Sequence, residues 1–161
     1  MHRRYTLMTL VLAVSACSPV LDWRESRPQG SAAQLLFPCK PELQTRAHMG
    51  LARCEAAGLE FSLSWAELPE PTQAGPALKQ MRESLLSKLG GSAGVPQPFA
   101  AKGTTPQAES LTQTIGGERP ARLAVFARGA RVYQLLMSGP RADAAAWEAF
   151  AGSIQLLDAA P

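Results

Sequence analysis

Leu59 to Trp65 alternates without a break, with Leu59, Phe61, Leu63 and Trp65 on one side and Glu60, Ser62 and Ser64 on the other. A period of two predicts a strand with one buried face. Ahead of it, Gln34-Leu35-Leu36-Phe37 is a short apolar run stopped by Pro38, which reads as a first strand. Pro38-Cys39-Lys40-Pro41 reads as a bend. Leu43 to Met49 reads as a second strand that breaks at Gly50 and resumes over Leu51 to Glu55, with a turn at Ala57-Gly58.

The period then changes. Leu78, Met81, Leu85 and Leu89 are spaced by three, four and four, an apolar helical stripe. Gly75-Pro76 suits its first turn and Gly90-Gly91 its end. A core-facing helix explains the stripe better than a partner-binding face. Gly90 through Thr105 is rich in Gly, Pro and Ala and reads as a mobile loop or an excursion. Ser110 to Ile115 reads as a strand, followed by a turn at Gly116-Gly117. Arg122 to Arg128 and Arg131 to Met137 flank Gly129-Ala130, a two-residue connection that suits a type II′ hairpin. Pairing across it sets Phe126 opposite Tyr133 and Ala124 opposite Leu135. Both strands are apolar on both faces, which predicts cover on both sides of the sheet. A closing helix from about Asp143 places Trp147, Phe150 and Ile154 together.

The amino-terminal end follows neither period. His2-Arg3-Arg4 precedes an apolar run from Leu7 to Val14, then Ser15, Ala16 and Cys17. Cationic head, apolar middle and small-residue exit are the parts of a secretory signal. The run has roughly half the ~20 apolar residues that a bilayer span needs. Val14-Ser15-Ala16-Cys17 resembles the lipobox of bacterial lipoproteins, with Val14 where Leu is commonest. The resemblance implies cleavage before Cys17 and lipidation of its sulfur, several acyl chains giving stable anchoring. Ordinary cleavage after Ala16 is the alternative, and the lipoprotein reading is preferred. Ser18 after the cysteine favours the outer membrane over the inner. The expected organisation is a signal over residues 1–16, a lipidated flexible tether over 17–33, and one domain over 34–158. Trp23 interrupts the polar tether, and docking on the domain is preferred to a place at the membrane interface.

Composition changes little after that. The whole chain carries 16 basic and 13 acidic residues, but Arg3 and Arg4 belong to the signal, leaving 14 against 13. No cluster of Arg or Lys with interleaved aromatics remains, so nucleic acid is not an expected partner. With Cys17 assigned to lipid, Cys39 and Cys54 remain, in a compartment where disulfides persist. A bridge would close a loop of about 16 residues and stabilise the fold by roughly 3 kcal/mol. It is preferred to two buried thiols or a metal site, since His48 is the single histidine after residue 16.

Catalytic patterns are absent. There is no Gly-x-Ser-x-Gly, no His-Glu-x-x-His and no phosphate loop, and Ser138 reads as a turn residue. Glu55 with Glu60, and Glu67 with Glu70, read as exposed charges in preference to paired acids. No catalytic residue, cofactor or metal ligand is assigned. Arg122, Arg128 and Arg131 around the hairpin offer a weakly basic edge or simply solvated strand ends.

Meander, long helix, loop, second meander and closing helix together resemble the Mog1/PsbP-like superfamily. The local echoes are Leu36 to Pro38, Gly117-Glu118-Arg119, Val132-Tyr133-Gln134-Leu135 and a helix leading into Ser153-Ile154. The resemblance implies an α+β domain, an antiparallel sheet of about six strands with helices packed on both faces, and carries no active site. The expected function is a non-enzymatic envelope lipoprotein that binds or helps assemble another envelope component. The alternative is a small-ligand or lipid carrier with a crevice lined by Phe61, Trp65, Phe126 and Trp147.

Overall fold

Eleven strands and two α-helices make up the computed structural model of the chain, which describes residues 21–140 and 143–158. Cys17 and the signal reading lie outside the described residues. In order, β1 (Arg24–Ser26), β2 (Ala33–Phe37), β3 (Glu42–Arg46), β4 (Met49–Ala56) and β5 (Leu59–Glu67) lead to a short 3-10 turn and helix α1 (Ala74–Leu89). Then come β6 (Ser92–Ala93), β7 (Gln97–Pro98), β8 (Leu111–Gly116), β9 (Ala121–Arg128), β10 (Arg131–Ser138), α2 (Ala144–Ala151) and β11 (Gln155–Leu156).

They form two antiparallel sheets. The larger has eight strands in the order β3-β4-β5-β10-β9-β8-β6, with β7 also on β8, and the smaller runs β1-β2-β11. The expected six strands were too few, because two-residue strands such as β6 and β7 carry no readable period. The stretch read as a mobile loop or an excursion is clipped to β8 at two points. Gly94 N donates to Thr114 O at 2.8 Å, and Gln113 Nε2 donates to Gly94 O at 2.6 Å.

The predicted hairpin pairing holds: Phe126 faces Tyr133 and Ala124 faces Leu135. Gly129 supplies the positive φ of 56° that a Gly-first two-residue turn requires. Because β9 and β10 lie inside the sheet, their two faces are buried against different layers. Val125, Ala127 and Val132 pack on Ala74 and Leu78 of α1, and Leu123 on its later Leu85, Leu86 and Leu89. Ala124, Phe126, Tyr133, Leu135 and Met137 point the other way, into the main core.

That second face corrects the expected layering. It is not roofed by a helix layer; the small sheet covers it through Leu35 and Phe37, with α2 contributing Trp147 and Phe150. Helix α1 begins and ends near its predicted limits, whereas α2 stops at Ala151, so that Ile154 lies beyond it and β11 follows. Gly90 ends α1 in a left-handed conformation, and the Asp143 carboxylate caps α2 by accepting from Ala145 N at 2.7 Å.

The tether boundary also moves. Arg24 to Ser26 pair with Leu35 to Phe37, so the fold already includes residues placed in the flexible segment 17–33. Trp23 docks edge-on against Phe61, centroids 5.7 Å apart. Ser31 is wholly buried, its hydroxyl donating to Pro28 O and accepting from Ala33 N. A three-residue strand flanked by prolines and glycine has no period to detect.

Candidate functional site

Four aromatic residues were expected to line a ligand crevice, and the structure places all four in packed core. Phe61 and Phe126 have no exposed surface, and Trp65 and Trp147 are only 6% and 5% exposed. Phe61 meets Phe150 edge-on at 5.3 Å, while Phe126 stacks on Tyr133 at 5.3 Å and touches Phe99 at 5.1 Å. Trp65 and Trp147 each reach the rim of a different surface cleft. Alternation identified which residues face inward, but a packed face and a ligand-lined face carry the same alternation.

Cys39 and Cys54 are joined by a disulfide, Cα to Cα 6.0 Å. Cys39 follows β2 by two residues and Cys54 sits on the inner face of β4. The bridge therefore ties the small sheet to the large one, and does not set the register of two neighbouring strands. Glu55 and Glu60 are directly opposite across β4 and β5. Like charges so placed oppose pairing slightly and belong to solvent.

The polar groups converge at the turn end of the central hairpin. Glu67, Arg128, Arg131 and Tyr133 border a cleft of about 460 Å³ together with Ala32, Thr105 and Leu157. Glu67 and Arg131 also border a neighbouring cleft of about 220 Å³ that reaches Thr45, His48 and Trp65. The basic edge anticipated around this hairpin is here, but its charge is already used. Arg131 Nε donates to Glu67 Oε2 at 2.6 Å. Arg128 donates to Leu156 O at 2.9 Å and pairs with Asp158. Gly129 N donates to Thr105 Oγ1 at 3.0 Å, fastening the turn. Burial is the largest single influence and works against the Arg131 charge, but the hydrogen bond it donates to Glu67, its hydrogen bond with Tyr133 and the charges of both groups together raise the guanidinium above its ordinary value. Arg122, the third of the set, is on β9 at the far end from this turn.

Tyr133 is the buried polar group beneath the cleft. Its hydroxyl donates to Ser31 O at 2.9 Å, joining the hairpin to the segment ahead of β2. Burial pushes its phenol above the usual range, against an opposing pull from Arg131. A phenol harder to ionise when folded stabilises the fold fully below about pH 10, and that stability is lost as pH rises through the raised folded value. Tyr133→Phe should cost about 1 kcal/mol near neutrality through the lost hydrogen bond. It should also reduce the alkaline loss, so that the urea midpoints of the two proteins keep their gap below about pH 10 and converge above it. A constant gap would refute this role.

Chemically the cleft offers, among the described residues, neutralised ion pairs and a buried phenol. No group of three or more His, Cys, Asp or Glu among the described residues is placed to hold a metal. No helix among them is long and apolar enough to cross a membrane.

Comparison with known proteins adds two distant likenesses in shape. No protein-family model and no curated protein matches the chain. A 1.50 Å crystal structure from Bacteroides thetaiotaomicron VPI-5482 is 12% identical with a TM-score of 0.41, covering 81% of this chain. The chain spans less than half of that protein, 46% of its length. The solution structure of cyanobacterial PsbP (CyanoP) from Synechocystis sp. PCC 6803 is also 12% identical, with a TM-score of 0.48 over 91% of this chain and 98% of that one. At such scores neither decides fold family or function, and the chain is described on its own architecture: a mixed α and β domain with two antiparallel sheets and two helices.

Proposed function

We propose that this chain is a lipid-anchored protein of the cell envelope whose domain works as a non-enzymatic binding or assembly module through its outer surface. The Mog1/PsbP-like assignment of the domain belongs to the same proposal and rests on the order of its elements. The observation that carries the reading is the Cys39–Cys54 bridge, which suits an oxidising compartment and ties the segment after β2 to β4. It agrees with the export signal and with Val14-Ser15-Ala16-Cys17 in the sequence. The binding-module reading is preferred to a carrier of small ligands because Phe61 and Phe126 are wholly buried and Trp65 and Trp147 nearly so. Two acyl chains or more would hold the protein at a membrane surface, leaving the domain to meet its partner there.

The test is partition. In cells fed labelled palmitate, the wild-type chain should take up label and sediment with membranes, whereas Cys17→Ser should take up none and appear in the soluble envelope fraction. Membrane association of Cys17→Ser equal to wild type would overturn the anchor.

A further inference from the structure

We infer that β3 is a pairing edge for a second copy of this chain, joining two eight-stranded sheets across a twofold axis. Among the described residues, β3 ends the large sheet and bonds only to β4. All five of its residues, Glu42 to Arg46, are exposed, and Leu43 keeps 42% of its surface in water. An open edge of this kind offers a row of unpaired backbone groups.

The register shows which groups those are. Arg46 faces Met49 across the two-residue turn Ala47-His48, and Gln44 and Glu42 face Leu51 and Arg53. A two-residue turn makes its flanking residues a hydrogen-bonded pair, and such pairs alternate along the ladder. Arg46, Gln44 and Glu42 therefore spend their amides and carbonyls on β4. Those of Leu43 and Thr45 point outward.

The side chains then select the partner and the register. With Gln44 on the axis of an antiparallel pair, Leu43 of one copy bonds Thr45 of the other, through both amides and both carbonyls. Glu42 falls opposite Arg46 of the second copy, twice. These are the closer, non-hydrogen-bonded positions, where opposite charges stabilise a pair most directly. Neither Glu42 nor Arg46 has an ion-pair partner among the described residues. A slip of two residues sets each charge against a neutral side chain or past the partner strand, and a slip of four brings like charges together. Only the register centred on Gln44 satisfies both ends of the strand. The same pairing covers Leu43, which lies on the inner-face side beside Ala52. A twofold contact closes on itself and does not propagate into a fibre.

This inference uses the folded domain alone and stands whether or not Cys17 carries lipid. It is tested on the full chain in detergent micelles by sedimentation velocity, with charge reversals at the edge. Wild type should dimerise. Glu42→Arg or Arg46→Glu alone should weaken the dimer about tenfold, since each converts both cross-strand pairs to like charges. The double exchange, Glu42→Arg with Arg46→Glu, should restore it. Gln44→Cys should form a covalent dimer on mild oxidation far faster than Ser92→Cys on the strand at the opposite edge. A monomeric wild type, a dimer indifferent to the reversals, or equal crosslinking at positions 44 and 92 would each overturn the inference. So would oxidation of Gln44→Cys in intact envelopes that captures a different protein and never a second copy.

Discussion

Gly50→Ala is expected to destabilise the domain by more than about 3 kcal/mol, at the upper end of what overpacking a core costs. Gly50 lies opposite Trp65 on the neighbouring strand, and the indole lies flat over it. A methyl group there would sit 2.0 Å from Trp65 Cζ2 and 2.4 Å from Cε2, well inside any tolerated contact. The ring has little room to retreat, being only 6% exposed. Relief must therefore come from the β4–β5 ladder itself. In a Trp65→Leu background the obstruction is gone, and adding Gly50→Ala should cost less than about 1 kcal/mol. Urea unfolding of the four proteins measures the coupling. Equal costs in both backgrounds would show that the glycine matters for its backbone and not for the indole.

The same position shows how much of the fold could be read beforehand. Gly50 looked like a strand break because glycine lacks the side chain that strands use. In the structure it continues β4, and the missing side chain makes space for a tryptophan fifteen residues on. Periods of two and of three to four located β5, α1 and α2, because each has enough turns or alternations to repeat, while β9 and β10, apolar on both faces, were located by the two-residue turn at Gly129-Ala130 between them. Strands β1, β6, β7 and β11, at two or three residues, are fixed by their partners and not by their own pattern. The two cysteines pointed to the bridge, though not to its linking of separate sheets. The aromatic set was correctly placed indoors. Composition and spacing say that Phe61 and Phe126 face inward; only the positions of Phe99, Tyr133 and Phe150 say that the space is full.

The largest loss is expected from Phe150→Ala, about 4 kcal/mol. Phe150 has no exposed surface and stands where three elements meet. Its ring lies 5.2 Å from Phe37 on β2 and 5.3 Å from Phe61 on β5, both edge-on, with Trp147 of its own helix at 6.3 Å. Removing it opens a cavity among aromatic rings, whose stiffness limits how far the site can collapse. The second contact of this helical end reinforces the choice: Ser153 Oγ donates to Phe150 O at 2.8 Å and accepts from Leu36 N at 2.9 Å, so the backbone of residue 150 is itself tied to β2. Phe150→Leu keeps most of the volume and should cost less than half as much. The loss should be uneven across the molecule. In hydrogen exchange, α2 and β1-β2-β11 should lose protection together, because Phe150 and Phe37 hold that layer down. The β9–β10 amides, backed on their other face by α1, should retain more of theirs. Uniform loss over all strands would mean that the small sheet and α2 unfold only with the whole domain, and that the layer is not the separable unit its packing suggests.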